Sequence, residues 1–140
     1  LFRSLGTIVR TVDSVGASGV ILLGQTTDPF ALEAVRATMG SLFHVPLIAA
    51  ELDEFVAWKR ARKIPVWGTH LKGAVDYRTV EWPQTCVVMM GNEQSGLPDA
   101  HVAACDGIVK IPMAGKADSL NLAVATAVML YEVRRSRLDV

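Results

Sequence analysis

Asn92, Glu93, Ser95, Ser119 and Asn121 are the side chains best suited to hold a polar ligand, and each lies in a turn beside an apolar segment. The run Gly91-Asn92-Glu93-Gln94-Ser95-Gly96 follows the apolar stretch 85–90. Pro112-Met113-Ala114-Gly115 follows the apolar stretch 108–111, and Asp118-Ser119-Leu120-Asn121 opens a long helical pattern. Open α/β sheets bind ligands at the carboxyl ends of their strands, so three such turns can converge on one pocket. Gly91, Gly96 and Gly115 would let a ligand approach the main chain. Ile111, Met113 and Leu120 would supply apolar walls. With no lysine aimed into it, such a pocket suits an adenine-like ring and a zwitterion better than a triphosphate.

Other chemistries lack their residues. No Gly-x-x-x-x-Gly-Lys-Ser/Thr phosphate loop occurs, and no Gly-x-Gly-x-x-Gly follows the first strand. The Gly-x-Ser-x-Gly elbow of hydrolases is absent. His44, His70 and His101 are scattered without Cys or carboxylate at ligand spacing, so no metal is expected. His44, inside Leu42-Phe43-His44-Val45, reads as a packed core or boundary histidine. Cys86 and Cys105 sit in apolar surroundings and read as buried reduced thiols, which points to the cytoplasm.

The elements that must position these turns alternate along the chain. Leu5, Ile8, Val9, Val12 and Val15 recur at helical spacing, with Ser4 as a possible N-cap and Gly16 as the stop. Strands are expected at 20–23, 46–50, 64–67, 85–90 and 107–111. Helices are expected at 30–39, from Leu52 to about Arg62, around 98–104 and at 119–135. The stretch 71–83 reads as a loop with a short helical turn, and Gly68-Thr69-His70 as one more loop at a strand end. Alternation of this kind predicts an α/β fold, a mostly parallel sheet with helices on both faces. The run at 85–90 reads as a strand buried on both faces. Lys59, Arg60, Arg62 and Lys63 form one basic cluster and Arg134, Arg135 and Arg137 another. Near helix C-termini both read as solvated partners of the helix dipole, with phosphate contact as the alternative.

A chain of 140 residues is one domain's worth, and 51% apolar residues are enough to build a core. The 14 basic residues balance 14 acidic ones, so the chain lacks the strongly basic coat of many nucleic-acid binders. No apolar run reaches the ~20 residues of a membrane span. The chain starts at Leu1 without Met, in a segment that already looks functional, which suggests residues upstream.

Three blocks together resemble the SpoU/TrmH family of RNA ribose 2'-O-methyltransferases, within the SPOUT superfamily. They are Ser4-Leu5-Gly6-Thr7-Ile8-Val9-Arg10-Thr11-Val12-Asp13-Ser14 with Gly16; Val88 to Leu97; and Ile111-Pro112-Met113 with Ser119-Leu120-Asn121-Leu122-Ala123-Val124-Ala125 and Tyr131-Glu132. Their order and spacing match over nearly the whole chain, although Ser4 stands where the family usually has Asn. The resemblance implies a single catalytic domain over 1–140 with a deep trefoil knot near its C-terminus. It implies S-adenosylmethionine as cofactor, tRNA or rRNA as substrate and a homodimer that completes the active site, with no membrane or metal partner. It implies catalytic roles for Arg10, Glu93, Ser119 and Asn121. Cofactor contacts would come from Thr69, Gly91, Asn92, Gly96, Ile111, Met113 and Leu120. Read from the residues alone, Ser119 and Asn121 could equally be helix-start residues, and the fold could be an inactive module that binds RNA or cofactor.

Overall fold

The protein, seen in a computed structural model, is described at residues 2–24, 33, 35–37, 44–72, 75–91 and 95–138. It divides into two compact units, Leu1–Trp58 and Lys59–Val140.

In the first unit, α1 (Phe2–Ser14) precedes β1 (Val20–Leu23), which pairs in parallel with β2 (Leu47–Ala50). Leu5, Val9 and Val12 lie four and three residues apart on one face of α1 and are buried, while Thr7, Arg10 and Asp13 are exposed. The helix ends as its glycine predicts. Gly16 takes φ 69°, its amide bonds the Asp13 carbonyl at 3.1 Å, and the Ala17 amide bonds the Val12 carbonyl at 3.0 Å. Because the helix begins at Phe2, Ser4 lies inside it and is not its N-cap. Leu5, Val9, Val35 and Leu47 form the core, with Val20, Leu22 and Val45 packed against it. Of the expected helix at 30–39, Glu33 and 35–37 are described and are helical. Arg36 closes this core by donating to the Leu47 carbonyl at 2.6 Å. His44 is exposed, so the reading of it as a packed residue is corrected.

The boundary between units falls within α2 (Leu52–Arg62). Glu54 reaches back to the Glu51 amide at 3.1 Å, half of a capping box. The C-terminal signal here is unusual, because Lys63 occupies the left-handed position, φ 53°, that glycine usually takes.

The second unit holds β3 (Val66–Thr69), β4 (Val75–Asp76), β5 (Val87–Met89), α3 (Asp99–Ala103), β6 (Gly107–Lys110) and α4 (Leu122–Arg134). One-turn helices follow β4 (Tyr77–Thr79) and α4 (Arg135–Arg137). The strands lie in the order β4-β6-β3-β5, all parallel. The α/β character and parallel pairing expected from alternation are therefore present. Two details differ. The stretch expected as loop contains β4, too short at two residues to show periodicity. Also, β5 is half-buried at Val87 and Val88, not buried on both faces as expected, and it is an edge strand of this sheet.

The amino ends of β3 and β6 are locked by Lys59. Its ammonium donates to the Ala104 carbonyl at 2.7 Å and to the Asp106 carboxylate at 2.9 Å. That carboxylate also accepts the Val66 amide at 2.7 Å, and the Asp106 amide returns a bond to the Val66 carbonyl at 2.7 Å. Lys59 is thus a buried strut, not a solvated member of a basic cluster. One residue along, the Trp67 indole lies over Gly107 and meets Trp82 edge-on, ring centroids 5.4 Å apart. A Cβ on Gly107 would come within 2.3 Å of the Trp67 ring, so this pairing of strands requires glycine there.

Candidate functional site

At the opposite, carboxyl ends of β3, β5 and β6, the chain leaves the sheet in turns that surround a cleft of about 390 Å³. β3 contributes Thr69, then His70, Leu71 and Lys72. The end of β5 contributes Met90 and Gly91, with Ser95 and Gly96 from the returning loop. β6 gives Lys110, followed by Ile111 and Met113. The start of α4 supplies Ser119, Leu120, Leu122 and Ala125. The three turns singled out in sequence therefore do meet.

Local bonding fixes these turns. The Thr69 hydroxyl lies 3.5 Å from the Met89 carbonyl, linking the ends of β3 and β5. The His70 amide donates to the Val109 carbonyl at 3.0 Å, extending the β3–β6 pairing by one residue. His70 Nδ1 accepts the Lys72 amide at 3.1 Å, which curls the loop after β3 over the cleft. Asn121 is the N-cap of α4, its side-chain oxygen accepting the Val124 amide at 2.9 Å. The capping role falls to Asn121, which leaves the neighbouring Ser119 at the cleft.

Glycine acts differently from expectation at Gly91. A Cβ there would lie 2.5 Å from the Gly96 carbonyl carbon and 2.6 Å from the Leu97 nitrogen. The space is filled by the chain's own backbone, so Gly91 lets the loop close on itself. Gly96 takes φ 68°, a left-handed conformation that glycine adopts without steric cost. Gly115 has open space around it and does not line the cleft.

Of the residues expected to hold a ligand, Thr69, Gly91, Gly96, Ile111, Met113, Ser119 and Leu120 line one cleft. Asn92 and Glu93 lie outside the described residues. Asn121 sits between two lining residues. Arg10 is exposed on α1 in the first unit and makes no ion pair among the described residues. His70, Lys72 and Lys110 were not singled out. The expectation that no lysine is aimed at the pocket is corrected, because Lys72 and Lys110 both line it. The signal was faint: each follows or ends a short strand, and neither belongs to a phosphate-binding motif.

The ionisable groups near the sheet set limits on the chemistry. Hydrogen bonds from Arg78 pull the Asp76 carboxyl down to about 2, with Lys110 adding a smaller effect. Burial pushes the Cys105 thiol up to about 11 and raises Cys86 as well. Both cysteines are free thiols and neither is a ready thiolate nucleophile. Among the described residues there is no group of three His, Cys, Asp or Glu able to hold a metal ion. Nor is any described helix long and apolar enough to cross a membrane.

The family model described as SpoU rRNA Methylase matches residues 3–131. The 23S rRNA (uridine(2479)-2'-O)-methyltransferase of Streptomyces viridochromogenes is 37% identical over 142 residues, covering 97% of this chain and 50% of that protein. The 23S rRNA (guanosine(2553)-2'-O)-methyltransferase RlmP of Bacillus subtilis is 34% identical over 131 residues, covering 94% of this chain and 53% of that protein. The crystal structure of an AdoMet-bound rRNA methyltransferase from Sinorhizobium meliloti superposes with TM-score 0.86 at 53% identity, over 99% of this chain and 54% of that one. The chain thus spans about half the length of these three relatives.

Proposed function

The chain belongs to the SpoU rRNA methylase family, and on that footing we propose that it transfers a methyl group from S-adenosylmethionine to a ribose 2'-hydroxyl of tRNA or rRNA. The observation that carries this reading is the meeting of three turns in one cleft at the carboxyl ends of parallel strands. The cleft fits such a cofactor. Its volume of about 390 Å³ falls in the ligand-pocket range of roughly 300–1,000 Å³. Ile111, Met113 and Leu120 offer apolar wall for a purine and the methylenes of a methionine chain, while Thr69 and Ser119 offer hydroxyls for its polar ends.

When bound, S-adenosylmethionine supplies an electrophilic methyl on a positive sulfur that is already a good leaving group. The remaining difficulty is the alcohol, a poor nucleophile while protonated, which must be oriented and relieved of its proton. Arg10 is assigned to the ribose oxygen. A guanidinium holds its proton firmly and is a poor base, so Arg10 acts as a charge stabiliser of the developing alkoxide and a clamp on the adjoining phosphate, and the 2'-hydroxyl proton leaves to that phosphate or to water. Glu93 is assigned to holding Arg10 or Asn121. Since the Asn121 side-chain oxygen already caps α4, that residue's NH2 group is what it offers a ligand. Gly91, Asn92 and Gly96 are assigned to the cofactor side of the loop.

The same reading includes a homodimer, a trefoil knot formed by the C-terminal segment and a cytoplasmic setting. The dimer is supported by Val124 and Tyr131, seven residues apart on one face of α4 and both exposed.

The test is methyl transfer itself. Incubated with methyl-labelled S-adenosylmethionine and bulk RNA, the protein is expected to label a nucleotide whose 3' phosphodiester resists alkali. Arg10→Ala is expected to abolish transfer while leaving cofactor affinity within a few fold. Label on a base, or full activity in that variant, counts against the proposal.

A further inference from the structure

We propose that His70, Lys72 and Lys110 form a subsite for a backbone phosphate of the RNA, at the rim of the same cleft. This inference rests on the RNA-substrate reading and gives that substrate a docking point outside the three family blocks.

Register brings the three residues together. Thr69 pairs with Val109 across β3 and β6, and the His70 amide continues the pairing to the Val109 carbonyl at 3.0 Å. His70 and Lys110 therefore leave adjacent strands side by side, the Lys72 amide is tied to His70 Nδ1, and all three residues line the same cleft. That bond fixes what the imidazole can offer. With Nδ1 accepting the Lys72 amide, the proton of the neutral ring sits on Nε2. His70 thus presents an N–H donor and not a base, and an oxyanion is what that donor suits beside two ammonium groups.

The carboxylate opposite Lys110 is already committed. Asp76 lies opposite Lys110 in the β4–β6 pairing. It accepts Arg78 Nε at 3.0 Å and Nη2 at 2.6 Å. Among the described residues that line the cleft, Lys72 and Lys110 are the charged side chains besides the His70 ring.

Position selects the polymer over the cofactor's own carboxylate. Leu71, Lys72 and Lys110 are exposed, while the apolar lining at Met90, Ile111, Leu120 and Leu122 is half-buried. The charges stand on the solvent side, where an RNA strand can reach them. Two ammonium groups also repel a sulfonium, so a cationic cofactor alone gains little from them, whereas a phosphate between them relieves the repulsion. Phosphate contacts of this kind fix register and orientation without reading sequence.

The experiment measures anisotropy of a fluorescein-labelled single-stranded RNA and calorimetric binding of S-adenosylmethionine, on the whole chain. Wild type is compared with Lys72→Ala/Lys110→Ala and with Lys72→Arg/Lys110→Arg, each checked for an unchanged far-ultraviolet spectrum. The alanine pair is expected to weaken RNA binding at least tenfold and to flatten the log-log salt dependence by roughly 0.7, the share of the one phosphate the two lysines hold. The arginine pair is expected to restore both, with cofactor affinity within twofold throughout. RNA affinity and salt slope unchanged in the alanine pair overturn the subsite. Cofactor affinity falling while RNA binding holds also overturns it, assigning the lysines to the amino-acid carboxylate. Wild type that binds RNA through these lysines but takes no S-adenosylmethionine leaves the subsite standing and removes the methyltransferase reading. Wild type that binds no RNA removes the subsite.

Discussion

The two ends of the four-stranded sheet are built to opposite rules. At the amino end, Lys59, Ala104, Asp106 and Val66 satisfy one another in a closed set of bonds, and Gly107 seats the Trp67 ring. At the carboxyl end, the same strands run out into turns held by single bonds, with glycine at 91 and 96 and lysines at 72 and 110 facing the cleft. The amino end fixes strand register. The carboxyl end spends that rigidity on a site whose polar groups remain available to a ligand. Substitutions at the first end should therefore cost stability and spare binding, and substitutions at the second should do the reverse.

Gly91→Ala is expected to have the largest effect. The new Cβ meets backbone at 2.5 Å, so the loop must open. Cofactor affinity should fall at least tenfold, alongside an overpacking cost to the fold of about 1–3 kcal/mol in a denaturant melt. Calorimetry and urea unfolding on the same sample separate the two quantities.

Lys59→Ala should act in the opposite sense, lowering stability with cofactor affinity within twofold. It removes two charge-assisted bonds from a side chain only 11% exposed. Its partner Asp106 is 52% exposed and can return to water. The expected loss is accordingly about 2 kcal/mol, not the larger cost of a stranded buried charge. The pair also predicts a pH dependence. Lys59 holds the folded Asp106 carboxyl below its ordinary value of 3.8. A carboxyl depressed by folding stabilises the fold above its unfolded value and loses that contribution as pH falls through the folded one. The stability gap between wild type and Lys59→Ala should therefore narrow below pH ~4. Asp76, drawn down to about 2 by Arg78, adds acid sensitivity that both proteins share.

Asn121→Ala should cost about 1 kcal/mol through the lost α4 cap. Asn121→Asp should restore that stability, and a methyl-transfer defect that persists in it would separate the residue's NH2 group from its capping oxygen. The smallest effect is expected at Lys63→Gly. Relief of a left-handed lysine, worth roughly 1 kcal/mol, is partly offset by glycine's freedom in the unfolded chain. A gain of a few tenths in the melt is the expected result.

How much of this was legible follows the same division. The turns after β5 and β6 and at the start of α4 were readable, because Gly-rich polar runs after apolar stretches mark strand ends. The stop at Gly16 was readable for the same reason, since only a left-handed residue closes that helix. The Lys59 strut was not, because a lysine near a helix end looks the same whether it meets water or an aspartate 47 residues away. Lys72 and Lys110 were missed because their convergence depends on β3–β6 register, which no local pattern encodes. The edge position of β5 was hidden too, since an apolar run reports composition and not which neighbours the strand acquires.

The central claim is that the cleft between Thr69, Gly91, Ile111, Met113 and Leu120 holds S-adenosylmethionine. Crystals of the protein grown with that compound measure it most directly. Density for an adenosyl group between the Ile111 and Leu120 side chains, with the sulfur directed toward Ser119, is the predicted result. Density at any other surface, with this cleft filled by solvent at saturating ligand, would contradict the account.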